Sequence, residues 1–174
     1  EYYHLVLAGY FDKKPRWFPG GADSEIDILI AKPNLRLAQE LFYQRYAGNQ
    51  LSAARQLLTN LDYLQAKVTL GLIDDLLEEL SIFKDYSKYK QLLSIIRASG
   101  FILKNYPNQL LSQLSIRNPK YPPEAHGLIN QLLAQSSLLH NFPWFRSVNP
   151  NRPVPHQLVS RIRAHDSATT QICS

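Results

Sequence analysis

Four acids stand close together at Asp74, Asp75, Glu78 and Glu79. Carboxylates grouped in this way can bind a hard cation or share a proton in acid–base work. A cation site needs ligands that converge from loops or facing helices, and no histidine stands at a matching spacing. The acids fall at i, i+1, i+4 and i+5, opposite the stripe Leu72, Ile73, Leu76, Leu77 and Leu80. They are therefore expected to form the solvated face of an amphipathic helix, open to a basic partner. His126, His140, His156 and His165 are scattered, with no H-E-x-x-H and no Cys/His cluster. Cys173 is the single cysteine, which excludes an internal disulfide and a cysteine-based zinc site. No base accompanies it, so it reads as a strand residue rather than a nucleophile. Ser112, Ser136 and Ser137 lack a G-x-S-x-G context. Neither a P-loop nor a G-x-G-x-x-G fingerprint occurs. The expectation is a chain with no catalytic, metal-binding or cofactor-binding residue of its own.

The elements that carry these residues are helices. Of 174 residues, 45% are apolar, dominated by leucine and isoleucine; Gly numbers only 7, and the 11 Pro fall in a few clusters. That is the composition of helices with punctuated joints, not of a sandwich or barrel. No apolar run approaches the roughly 20 residues of a membrane span, so no membrane association is expected, and the N-terminus does not read as a signal peptide. The net charge of +5 is mild and uneven. Beyond His140 the chain holds Arg146, Arg152, Arg161 and Arg163 against Asp166 alone. A basic strap against an acidic neighbour fits this better than nucleic acid, because no aromatic platform with interleaved cations accompanies it.

The periodicity predicts a helix over 1–14, with Tyr3, Leu7, Tyr10 and Phe11 on one face and Pro15 as its stop. An aromatic joint at 17–21 follows. Asn34 is the predicted N-cap of a helix carrying Leu35, Ala38, Leu41, Phe42 and Tyr46, and Gly48 is its predicted C′ glycine. Leu51, Ala54, Leu57 and Leu58 mark the next helix. Asp62 is the expected cap of a helix with Leu64, Val68 and Leu70, broken or bent at Gly71. The longest helix is predicted over 87–106 on Tyr89, Leu92, Leu93, Ile96, Gly100 and Leu103, with Ser99-Gly100 where a neighbour approaches closely. Pro107 stops it. A short helix over 109–116 and another from Pro122-Pro123 through Leu139 complete the set. Leu76, Leu77, Leu92, Leu93 and Ile96 are the expected centre of the core.

After His140 the helical period ends, and Pro143, Pro150, Pro153 and Pro155 impose an extended path. Phe142, Trp144 and Phe145 lie in that strap and are the candidate interaction residues, because three aromatics in four positions need a surface to pack on. A short β-type run is expected over 169–173. The predicted fold class is therefore all-α: an irregular array of antiparallel helix pairs, then an extended proline-rich strap and the first strand of a following β domain. Residues 1–20 read as the end of a preceding domain, 21–140 as the helical array, and 141–174 as the strap and the start of the next domain. Methionine is absent and the last residues stop within the β-type run, so the chain is expected to be an excerpt of a longer protein. No fixed repeat period is found.

One stretch resembles a known pattern. Tyr43 to Gly48 fits Y-x-x-x-A-G, and Leu57 to Lys67 fits L-L-x-x-L-x-[YFW]-[LI]-x-A-K. A glycine joint and acidic leucine helix follow at 71–80, then a Y-P-N-Q-L step at 106–110. This order is similar to the helical arm of the apoptotic protease-activating factor family, among the STAND (NB-ARC) nucleotide-switch proteins. Residues 163–174 resemble the segment that opens the WD-repeat β-propeller in that family. The resemblance covers about residues 30–174, with 1–14 matching the last helix of a winged-helix domain. It implies a non-catalytic, cytoplasmic arm linking a nucleotide-binding switch, which would hold ATP or ADP, to a sensor propeller. Those two neighbouring domains, and an oligomer of the parent protein, are the partners it implies. A stack of packed helices would move as a lever, and the joints at Gly71, Pro107 and Pro119 are its expected hinges. The alternative is a free-standing helical module that binds peptide, protein or nucleic acid.

Overall fold

The computed structural model describes residues 1–18, 32–118 and 123–135. Within them the fold is all-α. Its helices are α1 (Tyr2–Asp12), α2 (Leu35–Ala47), α3 (Leu51–Leu57), α4 (Leu61–Thr69), α5 (Ile73–Ile82), α6 (Ser87–Asn105), α7 (Leu110–Ile116) and α8 (Pro123–Ala134). A 3₁₀ turn, Pro107–Gln109, joins α6 to α7. Two strands of two residues, β1 (Trp17–Phe18) and β2 (Lys32–Pro33), pair antiparallel with Trp17 opposite Pro33 and Phe18 opposite Lys32. The strap, the 169–173 run and Pro119 lie outside the described residues.

The caps show why the helices begin where they do. Asn34 caps α2 as expected, its side chain accepting from the Leu37 amide at 3.2 Å. Helix α4 is capped by Asn60, whose side chain accepts from the Tyr63 amide at 3.0 Å, and Asp62 sits inside the first turn instead. Asn60 wins because its extended backbone places the carboxamide over the free amides, which a residue already helical cannot do. At the end of α4, Gly71 has φ 74°. Its amide donates to Val68 O and the Leu72 amide to Lys67 O, a Schellman closure that needs a left-handed residue.

Gly48 plays a different part from the one its position predicts. Its φ is −79°, and the left-handed residue is Asn49, at φ 58°. What Gly48 provides is room: a Cβ there would lie 2.9 Å from the Gln44 carbonyl oxygen and 3.3 Å from Leu5 Cδ2. Helix α1 thus packs against the end of α2. His4 Nδ1 is 2.7 Å from Gln44 Oε1, and Asp12 pairs with Arg45 at 2.5 Å. Gly100 shows the reverse, since a Cβ there would meet nothing within 4 Å. Of the Ser99-Gly100 pair expected to meet a neighbour, it is Ser99 that does so: it is buried and hydrogen-bonds Gln113 on α7.

A continuous core runs from Phe11 through Leu41, Leu58, Leu64, Leu76, Leu92 and Ile96 to Ile129 and Leu132. Leu93 belongs to it, while Leu77 is half-buried at its margin. Helices α5 and α6, α1 and α2, and α6 and α8 form the broadest pairings. No described helix is long and apolar enough to cross a membrane.

Candidate functional site

Phe142, Trp144 and Phe145, the interaction residues expected from sequence, lie outside the described residues. The described surface offers two other features. The first is the outer face of α1. Only Ala8 and Phe11 of this helix are buried, and they pack with His4 toward α2. Tyr3, Leu7 and Tyr10, expected on one face with Phe11, are exposed, Tyr3 at 80%, as are Tyr2 and Val6, and of that set only Phe11 is buried. The helix is apolar nearly all round, so its periodicity does not say which side meets α2. The second is an open depression of about 420 Å³ lined by Tyr86, Ser87, Lys88, Leu128 and Gln131. These residues supply no nucleophile with a neighbouring base and no convergent carboxylates.

The strongest assembly of ionisable groups is internal. On α4, Tyr63 and Lys67 stand one turn apart and point the same way. Both reach Glu79 on α5. The Tyr63 hydroxyl lies 3.0 Å from each carboxylate oxygen and donates to them, and Lys67 Nζ donates to Oε1 at 2.5 Å. The lysine ammonium also sits 5.7 Å from the centre of the Tyr63 ring. Tyr63 and Lys67 are fully buried at 0% exposure, and Glu79 is 7% exposed. Burial pushes the Glu79 carboxyl up to about 7, against the attraction of Lys67 and the two donated hydrogen bonds. Burial also raises the Tyr63 hydroxyl well above its usual range, helped by the adjacent carboxylate, so it remains a donor.

This corrects the reading of the four acids as one solvated face. Asp74, Asp75 and Glu78 are exposed, and Glu79 is not. The buried arc of α5 comprises Ile73, Leu76, Glu79 and Leu80, so the helix is turned toward Glu79 and away from Leu77. The reason lies on the preceding helix. Lys67 sits in α4, a helix whose residues from Tyr63 to Val68 are all buried, and a buried cation requires an acid. Among the described residues no group of three or more His, Cys, Asp or Glu side chains could hold a metal ion.

Comparison of the chain with protein-family models, with curated proteins and with solved structures finds no match.

Proposed function

We propose that this chain is the helical arm of a nucleotide-operated switch protein of the STAND type, acting without catalysis of its own. In this reading it is a cytoplasmic lever between an upstream nucleotide-binding domain and a downstream sensor propeller. Such coupling is an interface free energy rather than a chemical step. The observation that supports it is the placement of the two polar positions of the arm pattern. Tyr63 and Lys67 both converge on Glu79 of the acidic leucine helix that follows them in that pattern. The outward apolar face of α1 is also what a helix next to another domain would present.

Calorimetric titration of this chain with ATP and with ADP tests the reading. No binding is expected, because no phosphate-cradling loop is present; sub-micromolar affinity would overturn it. The flanking sequence supplies the second test. A P-loop upstream and repeated Trp-Asp blades downstream are expected, and a parent protein lacking both would favour the free-standing interaction module.

A further inference from the structure

The joints at Gly71 and Pro107, which follow α4 and α6, fall where a hinge would be expected. Each is crossed by a polar side chain from α4. Lys67 and Tyr63 reach over the Gly71 joint to Glu79. Gln65, between them, donates through Nε2 to the Pro107 carbonyl at 3.0 Å and reaches Thr69 Oγ1 at 3.2 Å. Gln65 is itself buried. Three polar side chains at alternate positions of one buried helix therefore tie it to both joints.

We propose that Tyr63, Lys67 and Glu79 form an internal catch that holds α4 and α5 as one body across Gly71, so that this joint opens only when all three side chains are hydrated together. The physical ground is the asymmetry of buried charge. Apolar packing yields gradually as helices slide. A buried cluster with satisfied hydrogen bonds tolerates no small displacement, because separating the partners leaves the Lys67 ammonium and the Glu79 carboxyl, with or without its proton, unpaired in a poorly polarisable interior. The Schellman closure at Gly71 adds to this by fixing the backbone at the same joint. The Gly71 joint is thus a rigid corner, and any bending of the array takes place elsewhere. This inference concerns the α4–α5 pair alone and does not rest on the arm reading.

Native-state hydrogen exchange on the full chain tests it, with wild type, Lys67→Met, Glu79→Leu and the double variant. In wild type the slowest amides of α4 and α5 should exchange through a common opening, with matching protection. Each single substitution strands a buried partner and should speed exchange in both helices by about tenfold or more. The double variant should be better protected than either single one, since it buries no unpaired group. Wild-type protection differing by more than about tenfold between the two helices would overturn the catch. So would single-variant effects that simply add in the double. If a single variant does not fold, the wild-type comparison still decides.

Discussion

Arg16 donates from Nη1 to the Asn60 side-chain oxygen at 2.8 Å, across 44 positions of sequence, and the same oxygen accepts from the Tyr63 amide. One carboxamide therefore both starts α4 and ties down the chain that leaves α1. Asn60→Ala should cost about 1–2 kcal/mol in urea melts, more than an isolated cap on the surface. Asn60→Asp should be nearly neutral, because a carboxylate accepts both bonds. Asp62→Ala should cost less than about 0.5 kcal/mol, since Asp62 contributes only its charge near the helix start. Equal losses at 60 and 62 would contradict the cap assignment.

Gly48 and Gly100 should respond to alanine with opposite signs. At Gly48 the new methyl group meets a backbone oxygen and the Leu5 side chain, so α1 must shift. A loss of about 1–3 kcal/mol is expected, with faster proteolysis in residues 1–14. At Gly100, inside α6 and facing open space, alanine should stabilise by about 0.5–1 kcal/mol through helix propensity alone. Thermal melts of the two variants measure both.

Stability should fall as the pH rises through neutrality. The Glu79 carboxyl is raised from its ordinary 4.5 to about 7 by burial, with Asp75 pushing the same way and Lys67 and Tyr63 opposing. The folded chain thus holds a proton that the unfolded chain has released. This contribution is fully present below 4.5 and is lost as the pH climbs through about 7. The change between pH 5 and pH 8 is on the order of 3 kcal/mol. Urea midpoints across that range should decline in wild type and flatten in Glu79→Gln. A rising midpoint would show that the attraction of Lys67 outweighs desolvation.

Leu92 is fully buried in the middle of α6 and Leu77 lies at the core margin. Leu92→Ala should cost about 2–5 kcal/mol. Leu77→Ala should cost less than half as much, a comparison that guanidinium titration makes directly.

The helices were legible because their apolar stripes are long relative to their joints. The expected helix over 87–106 is α6, Ser87–Asn105, and Asn34 caps where its type and position indicate. The β1–β2 pairing was not legible, since two residues a strand leave no alternation to read. Which face of α1 meets α2 was not legible, because nearly every position in it is apolar. Glu79 was misread for a subtler reason. Beside three exposed acids it looks like a fourth, and its burial follows from a lysine on another helix rather than from its own neighbours. Local pattern reports which residues share a helix face, whereas partner choice across helices is a tertiary property.

The complete withdrawal of the Lys67 ammonium from water has a chemical corollary. Amine-directed reagents and lysine-modifying enzymes act on amino groups they can touch, and Lys13, Lys14, Lys84 and Lys90 are all exposed to them. Lys67 is sheltered while α4 and α5 stay together. A single acylating reagent followed by peptide mass mapping would therefore mark the exposed lysines at once and Lys67 only at the pace of unlatching, making that nitrogen a clock carried by the native sequence.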